Sequence, residues 1–448
     1  MPDLQESERM NNSMGYQVTN LINLLSQFVK GKSGVKEDID RTDSFVIHYY
    51  TEIIRYWNRL NFILKKLTKY DKNFPEVNSL TTAKYLYIIF RFYEEKTSID
   101  EIANEIEINS RDLRFVRKLK HFSYTKSLGR KPRNEKFSLN YAYPTFLINL
   151  LKPFMGETLL EANLIHMNSY NPKKDLYSFF FNTLSVKNNE EQKRILEDLK
   201  NNKIDVFPDK HFSFMFYTLL ENKKKVISSQ WYKSSKIIVA DKASLTVASV
   251  LGSKKGEIIS DFCAAPGIKT MIMAQLTNNE SKIVASDFSH RRTTQMSSFL
   301  QKNHALSIFI LNSDNIMPPI RPHVKFDRIL IDAPCTGSGT LLSNPELKWR
   351  QNSDFLKQNL ILQTKLLNSG INLLKPNGVL VYSTCSLYAE EGELRILKFI
   401  DKLDPLTLPE WISPSYEING KFIEGAGRLF PSIHNTKGFF IGKFKKKE

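Results

Sequence analysis

Residues 257–270 read EIISDFCAAPGIKT, and this stretch decides the fold class that the sequence predicts. It begins with the short apolar run Glu257–Phe262, passes through a turn of small residues and leads into a segment of helical length. The GxGxxG pattern of dinucleotide-binding folds is absent, and Ile268 stands between Gly267 and Lys269, which breaks the GxxxxGK(S/T) pattern of a phosphate-binding loop. Small residues allow the backbone close to a ligand, and the following helix presents its N-terminal amides. The stretch therefore predicts a nucleoside-binding turn between a strand and a helix.

Short apolar strands and helix-length segments alternate along residues 231–448. This alternation predicts an α/β fold with a doubly wound, mostly parallel, Rossmann-like sheet. In such sheets ligands bind at the carboxyl ends of the strands, where every motif described below falls. The predicted strands are Glu257–Phe262, Lys282–Ser286, Ser307–Leu311, Arg328–Ile331, Val379–Ser383 and Gly438–Phe444.

Three regions precede the predicted sheet. Residues 1–40 are polar, and we expect them to be partly flexible, with a short helix around Tyr16 to Val29. Residues 41–130 show helical spacing of apolar side chains and predict an all-helical domain. Gly129–Asn134 has the composition of a linker, and residues 138–230 mix helix and strand signals, which predicts a small α+β module.

The chain has 448 residues and a formal net charge of +17, which favours a polyanionic partner. Residues 111–140 are strongly basic, with Tyr124 and Phe137 among the cations. This composition suits phosphate contact and base stacking on single-stranded RNA, and it suits a solvated helix face equally well. The segment 98–119 fits a helix-turn-helix, but an ordinary pair of packed helices is the favoured interpretation.

The three cysteines form no CxxC pair, so we expect no zinc or iron–sulfur site. Sparse cysteines indicate a reducing compartment. The N-terminal residues MPDLQESERM lack the apolar core of a signal peptide, and no stretch reaches the roughly 18 apolar residues of a membrane span. We therefore expect a cytoplasmic, monomeric protein that does not bind membranes.

Carboxylates follow two further strands of the predicted sheet. Asp287 ends the second strand, 26 residues after Asp261, where it can accept hydrogen bonds from both hydroxyls of a ribose. Asp314 follows the third strand and can meet an adenine amino group. Together with the turn after the first strand, these carboxylates predict a nucleoside-containing cofactor.

Two strand ends carry cysteines. Residues 332–340 read DAPCTGSGT, and residues 383–386 read STCS. Cys335 and Cys385 are thus placed at the edge of the sheet, where a thiolate is accessible to a substrate. The third cysteine, Cys263, belongs to the turn after the first strand.

A thiol pair beside the carboxyl group of Asp332 fits one chemistry in particular. Carbon 5 of cytosine is a poor nucleophile, but a thiolate that adds to carbon 6 makes carbon 5 enamine-like and able to accept a methyl group. The addition is favoured by a carboxyl group near ring N3, and release needs an acid–base group. The residue types leave open whether Cys335 or Cys385 attacks, because DNA cytosine methyltransferases use the cysteine that follows the proline.

The three motifs resemble those of the Fmu/Sun-type (RsmB-like) family of RNA cytosine-C5 methyltransferases, which carry DxCAAPGGKT, DAPCSGxG and STC(S). The resemblance covers roughly residues 140–448 and implies a class I methyltransferase sheet, S-adenosylmethionine as cofactor and RNA as partner. It also implies that Cys385 attacks carbon 6, that Cys335 assists release and that Asp332 is catalytic. The implied cofactor contacts are Cys263, Ala264, Ala265, Pro266, Gly267, Ile268, Lys269, Asp287, Arg292, Asp314 and Asp332.

The predicted helical domain matches, in length, position and helicity, the NusB-like RNA-binding extension of RsmB proteins. The small α+β module is similar to the RNA-binding module of the family. The resemblance therefore favours ribosomal RNA as substrate over tRNA. A tRNA methyltransferase and a non-catalytic RNA-binding assembly factor are the alternatives. Ile268 departs from the family pattern, because a second glycine usually stands at that position.

Overall fold

The computed structural model describes the backbone of residues 2–32, 39–40, 43–68, 78–186 and 188–448, with side chains from residue 14 onward. The chain forms two compact units. The first comprises residues 1–149 together with Ser343–Arg350, and the second comprises Leu150–Leu342 and Gln351–Glu448.

The first unit is helical in its described residues. Amphipathic spacing brings Leu21, Ile53 and Ile88 into one fully buried core. Ser98 caps a helix, because its hydroxyl accepts from the backbone N–H of Glu101 at 3.2 Å. The helices are α1 (Pro2–Val29), α2 (Ser44–Arg55), α3 (Trp57–Thr68), α4 (Ser79–Ile89), α5 (Ile99–Glu105), α6 (Ser110–Lys120), α7 (Tyr124–Leu128) and α8 (Arg133–Tyr141).

The extent of this unit differs from the sequence-based expectation. Helix α1 contributes Leu21 and Leu25 to the core, so the helical region begins well before residue 41, whereas residues 33–38 of the predicted polar N-terminus lie outside the described residues. The predicted linker Gly129–Asn134 lies inside the first unit, and the boundary falls after Asn149. Local composition suggested a linker, but long-range packing sets the boundary.

The segment Ser343–Arg350 belongs to the first unit although its neighbours in sequence belong to the second. The Lys348 ammonium is fully buried and donates to the carbonyl oxygens of Arg55 at 3.2 Å and Ala142 at 3.3 Å. The indole N–H of Trp349 donates to the carbonyl oxygen of Ile54 at 2.7 Å. These contacts join residues 206 to 295 positions apart, which no local pattern predicts.

The second unit contains a small antiparallel sheet in the order β2-β3-β1-β4. Three strands of this sheet lie within residues 138–230, whereas the fourth lies beyond residue 230. Helix α9 (Thr145–Asn168) precedes it, with a non-helical backbone at Gly156. The strands are β1 (Leu176–Phe181), β2 (Phe207–Pro208), β3 (Met215–Leu219) and β4 (Ile237–Val239), and the helices are α10 (Asn189–Asn201), α11 (Lys223–Ser228) and α12 (Gln230–Lys233).

The large sheet runs β11-β12-β13-β9-β8-β5-β6-β7, with β10 paired to β13. Strands β5 to β9 are mutually parallel, whereas β13 runs antiparallel to β9. The strands are β5 (Ile258–Phe262), β6 (Lys282–Asp287), β7 (Ile308–Asn312), β8 (Phe326–Asp332), β9 (Leu374–Thr384), β10 (Leu403–Pro405), β11 (Ser413–Pro414), β12 (Ala426–Leu429) and β13 (Phe439–Lys446). The helices are α13 (Lys242–Leu251), α14 (Ile268–Leu276), α15 (His290–Lys302), α16 (Ser353–Leu373), α17 (Glu393–Ile396) and α18 (Pro431–His434).

This topology confirms the predicted doubly wound, Rossmann-like α/β fold. Strand order reverses direction at β5, because the chain goes outward to β6 and β7 and then returns to β8 on the other side. The carboxyl ends of β5 and β8 therefore flank the topological switch point, where such sheets bind ligands. None of the helices in the described part of the chain combines the length and the apolar composition that a bilayer crossing requires.

Candidate active site

The turn after β5 is shaped for a close approach to a ligand. Gly267 adopts φ of +103°, and a Cβ there would lie 2.9 Å from Met296 Cγ, so both the backbone and the packing favour glycine. The N–H of Gly267 donates to the carbonyl oxygen of Ala264 at 2.8 Å, which closes the turn. Helix α14 starts at the next residue with its N-terminal amides at the switch point.

Ile268 is accommodated without distortion of this turn. It is the first residue of α14, where the backbone is helical, so the position does not depend on glycine. Its side chain packs against the apolar core of the second unit. The shape of the turn therefore depends on Gly267 and not on the residue at position 268.

Asp287 is held rigidly at the end of β6. One carboxylate oxygen accepts from the N–H of Ala265 at 3.3 Å and pairs with Arg292 at 3.2 Å, and the other accepts from the N–H of Ser289 at 3.1 Å. Arg292 also donates to the carbonyl oxygen of Ala265. Arg292 and Asp287 therefore fix the turn after β5 to the end of β6.

The remaining residues predicted to contact a cofactor lie at the same edge. Asp314 is exposed beyond β7, and one of its oxygens accepts from the N–H of Ile316 at 2.9 Å. Cys263 adopts φ of +60°, and burial raises the pKa of its thiol, so the thiolate is disfavoured there. Cys263 is therefore a structural part of the turn.

Asp261 is fully buried at the end of β5. One oxygen accepts from the Thr270 hydroxyl at 2.6 Å, and the other, Oδ1, has no hydrogen-bond partner among the described residues. Burial raises the pKa of this carboxyl group to about 7. An unsatisfied buried acceptor at a switch point suits a ligand that carries a donor.

The structure brings the two motif cysteines together. The Sγ atoms of Cys335 and Cys385 lie 3.2 Å apart, beyond the ends of the neighbouring parallel strands β8 and β9. The hydrogen bond to Cys385 and burial raise the pKa of Cys335 well above its usual range. The pair is therefore arranged so that Cys335 remains a thiol that can donate to the other sulfur.

Asp332 lies next to this pair and is held from two sides. Its Oδ1 accepts from the Ser383 hydroxyl at 2.7 Å, and its Oδ2 forms an ion pair with Lys269 Nζ at 2.6 Å. Burial alone would lower the pKa of Lys269, but the charges of Asp332, Asp261 and Cys385 raise it above its usual value. The sequence predicted Lys269 only as a cofactor contact, whereas the structure places it against Asp332.

Sequence reasoning missed two buried residues of the site. Glu391 and Gln363 are both fully buried, and both bond to the turn that carries Cys335. The acidic run after the STCS motif could have drawn attention to Glu391. Gln363 lies within the long helix α16, and nothing in the local sequence distinguishes it from other polar residues there.

Residues 248–445 match the model of the 16S rRNA methyltransferase RsmB/F family. Within this segment the chain is similar to the RsmB/F methyltransferase family. The RsmB/F-type domain thus contains the whole site described above, and the resemblance seen in the three motifs is confirmed.

Named relatives extend this similarity. The chain is 38% identical over 211 residues to a probable ribosomal RNA small subunit methyltransferase B from Synechocystis sp., a match that covers 46% of this chain and 47% of the relative. It is 30% identical over 296 residues to the multisite-specific tRNA:(cytosine-C(5))-methyltransferase of Saccharomyces cerevisiae, covering 51% of this chain and 43% of the relative. The chain therefore spans about half the length of these curated relatives.

The fold is also found among solved structures. The crystal structure of PH0851 superimposes with a TM-score of 0.74 at 24% identity, covering 96% of this chain and 99% of that chain. At this level of identity the similarity shows a shared fold.

Proposed function

We propose that this protein transfers a methyl group from S-adenosylmethionine to carbon 5 of a cytosine in ribosomal RNA, through a covalent bond between Cys385 and carbon 6. The observation that carries the proposal is the pair of sulfurs 3.2 Å apart, with the Asp332–Lys269 ion pair beside them. One thiol can attack while the other assists release, and such a pair has no evident use in a simple binding protein. The relatives are named as methyltransferases of rRNA and tRNA, and these names support RNA as the substrate.

The residues at the switch point fit S-adenosylmethionine. The partnerless Oδ1 of Asp261 can accept from an ammonium group, and the fixed carboxylate of Asp287 can accept from ribose hydroxyls. The exposed carboxylate of Asp314 can accept from an adenine amino group. When bound, this cofactor supplies an electrophilic methyl group on a sulfonium.

The first chemical step is addition of the Cys385 thiolate to carbon 6. A bond forms between sulfur and carbon 6, and the electron pair of the C5–C6 double bond becomes available at carbon 5 for the methyl group. Asp332 would share a proton with ring N3 and accept a hydrogen bond from the exocyclic amino group, and Lys269 fixes the orientation of its carboxyl group.

Release requires loss of the carbon-5 proton and cleavage of the bond between sulfur and carbon 6. The C–H electron pair re-forms the C5–C6 double bond, and the electron pair of the broken bond returns to the Cys385 sulfur. Once Cys385 is bonded to carbon, the hydrogen bond that raises the pKa of Cys335 most is lost. Cys335 can then give its proton to solvent and accept the one from carbon 5.

The helical first unit is proposed to bind the RNA backbone, in keeping with a NusB-like role. It carries a surface cavity of about 650 Å³ lined by the cations Lys66, Arg117, Lys118 and Lys126. The described residues that line this cavity include no Asp or Glu, and Phe122 contributes an aromatic ring. Clustered cations beside an aromatic side chain suit phosphates and a stacked base.

Two cysteine variants test the proposed function. With small-subunit rRNA and S-adenosylmethionine, Cys335→Ala should accumulate a covalent protein–RNA adduct that survives a denaturing gel, because attack proceeds and release does not. Cys385→Ala should neither methylate RNA nor form the adduct. Adduct formation by Cys385→Ala instead would reverse the two roles.

The identity of the RNA needs a separate measurement. Bisulfite sequencing of total RNA from a strain without the gene should show one or more rRNA cytosines that lose methylation. Loss of methylation that is confined to tRNA would identify tRNA, and not rRNA, as the substrate. Absence of S-adenosylmethionine binding in calorimetry would support the assembly-factor alternative.

A further inference from the structure

The turn that carries Cys335 is held by side chains from distant parts of the second unit. Gln363 Nε2 donates to the carbonyl oxygen of Pro334 at 2.9 Å, and Gln351 Nε2 donates to the carbonyl oxygen of Thr336 at 2.9 Å. The N–H of Thr336 donates to Glu391 Oε1 at 3.0 Å. The two peptide groups that flank Cys335 and the peptide group that follows Thr336 are therefore fixed by three side chains, which we call the Cys335 clamp: Glu391, Gln363 and Gln351.

Glu391 is the centre of this clamp. Its carboxylate is fully buried and accepts from the backbone N–H and the hydroxyl of Thr336 and from Gln363 Nε2 at 3.0 Å. All of these donors are neutral groups, although a buried carboxylate is costly unless it is well satisfied. The hydroxyl of Thr336 also lies 3.3 Å from that of Ser386, so the turns of the two cysteines are linked through the same group.

The charge of Glu391 also acts on Cys335. The causes that raise the pKa of Cys335 are, in order, the hydrogen bond to Cys385, burial, the charge of Cys385 and the charge of Glu391. Glu391 therefore fixes the turn that carries Cys335 and also favours the thiol form of its side chain.

We propose that Glu391 is a positioning residue that holds Cys335 in the geometry required for release of the methylated RNA. This inference rests on the proposed function, in which Cys385 bonds to carbon 6 and Cys335 accepts the carbon-5 proton. Glu391 does not touch the RNA base in this assignment, because it is fully buried behind the turn. Its loss should therefore impair release more than methyl transfer.

The test follows the covalent adduct in the full-length protein with a small-subunit rRNA transcript and radiolabelled S-adenosylmethionine. Glu391→Ala should slow decay of the adduct by about 10²-fold, the lower end of what an acid–base group contributes, while methyl transfer into the adduct continues. Glu391→Gln keeps an acceptor for the N–H of Thr336 and should restore most of the release rate. Cys335→Ala is the positive control for adduct formation.

Glu393→Ala is the matched control for Glu391→Ala. Glu393 is also fully buried and lies two residues along the chain, but it pairs with Arg428 and does not bond to the Cys335 turn. A variant that merely loosens the fold should behave alike at both positions, with a lower melting temperature and no stable adduct. The proposal requires adduct accumulation at position 391 alone.

Gln363→Met provides a second route if Glu391→Ala does not fold. It removes the donor to Pro334 and one donor to Glu391 and should give partial accumulation of the adduct. Folded Glu391 and Gln363 variants that release RNA at the wild-type rate overturn the inference. If Cys335→Ala itself forms no adduct, the role assigned to Cys335 in the proposed function is wrong. This outcome distinguishes a failure of the proposed function from a failure of the role proposed for Glu391.

Discussion

Asp261 links protonation to folding at the scale of a single residue. Burial raises the pKa of its carboxyl group to about 7 in the folded protein, above the value of about 3.9 for an unfolded chain. The folded state therefore binds this proton more tightly than the unfolded state does. The stability that Asp261 contributes is complete below about pH 4 and is lost as the pH rises towards 7.

Asp261→Asn should remove this pH dependence. The asparagine keeps an oxygen for the Thr270 hydroxyl but does not titrate, so its stability should fall less between pH 5 and pH 7.5 than that of the wild type. Urea unfolding at both pH values measures the difference. Equal losses for both proteins would show that Asp261 is already ionised in the folded state at pH 5.

The sequence predicted individual residues when chemistry and motif coincided. Cys335, Cys385 and Asp332 combine a reactive group with a strand end, and the structure brings them together as expected. Glu391 was missed because its importance lies in a bond to Thr336, 55 residues away. A buried carboxylate cannot be distinguished from a surface one by residue type.

At the scale of elements, the two cysteine turns are closed by contact with strand β13. Gly339 donates its N–H to the carbonyl oxygen of Cys385 and accepts from the N–H of Gly438, both at 2.9 Å. A Cβ at Gly339 would lie 2.1 Å from the carbonyl oxygen of Gly438. Glycine is therefore required here by the close approach of two backbones.

Gly339→Ala should destabilise the second unit by about 1–3 kcal/mol, because a backbone carbonyl must move to make room. The displacement should also disturb the Cys385 turn and lower methyl transfer. Gly15→Ala in α1 is the control, since an added methyl meets no atom within 4 Å and a helical alanine is favoured over glycine by up to about 1 kcal/mol. An unchanged urea midpoint for Gly339→Ala would contradict the close approach.

Strands of the large sheet were predicted to within a few residues because they are short apolar runs bounded by turns. The predicted run Lys282–Ser286 corresponds to β6, and Gly438–Phe444 corresponds to β13. The run Val379–Ser383 is only part of β9, which begins at Leu374 and includes Pro376 and Gly378. Proline and glycine usually interrupt strands, so the sequence did not predict the first half of β9.

At the scale of the whole molecule, the net charge of +17 implies that the proposed binding of RNA would be driven by counterion release as well as by direct contacts. Arg117 and Arg114 are both exposed on α6, but only Arg117 lines the basic cavity. A comparison of variants at these two positions therefore distinguishes a phosphate contact in the cavity from a general effect of charge.

Arg117→Gln should weaken RNA binding and reduce the slope of log K against log salt by about 0.7–0.9, the value for one lost phosphate contact. Arg114→Gln should change the slope much less. Filter binding of an rRNA transcript over a range of salt concentrations measures both. Equal slopes for the two variants would mean that the cavity is not a phosphate site.

Domain boundaries were the least predictable feature at this scale. The composition of Gly129–Asn134 suggested a linker, yet these residues lie within the first unit, and the boundary after Asn149 falls inside α9. Boundaries depend on which surfaces pack together, and a local stretch of polar residues does not report on distant packing.

The excursion of Ser343–Arg350 into the first unit affects how the chain can be divided in the laboratory and in evolution. Deletion of residues 1–149 would expose the indole of Trp349 and the buried ammonium of Lys348. A shortened protein would need new partners for both side chains. Excision of the catalytic half at a single cut therefore yields an aggregation-prone fragment rather than a smaller enzyme. Gene fusion and recombination face the same constraint, since the helical half can be exchanged only together with eight residues encoded some 190 codons downstream.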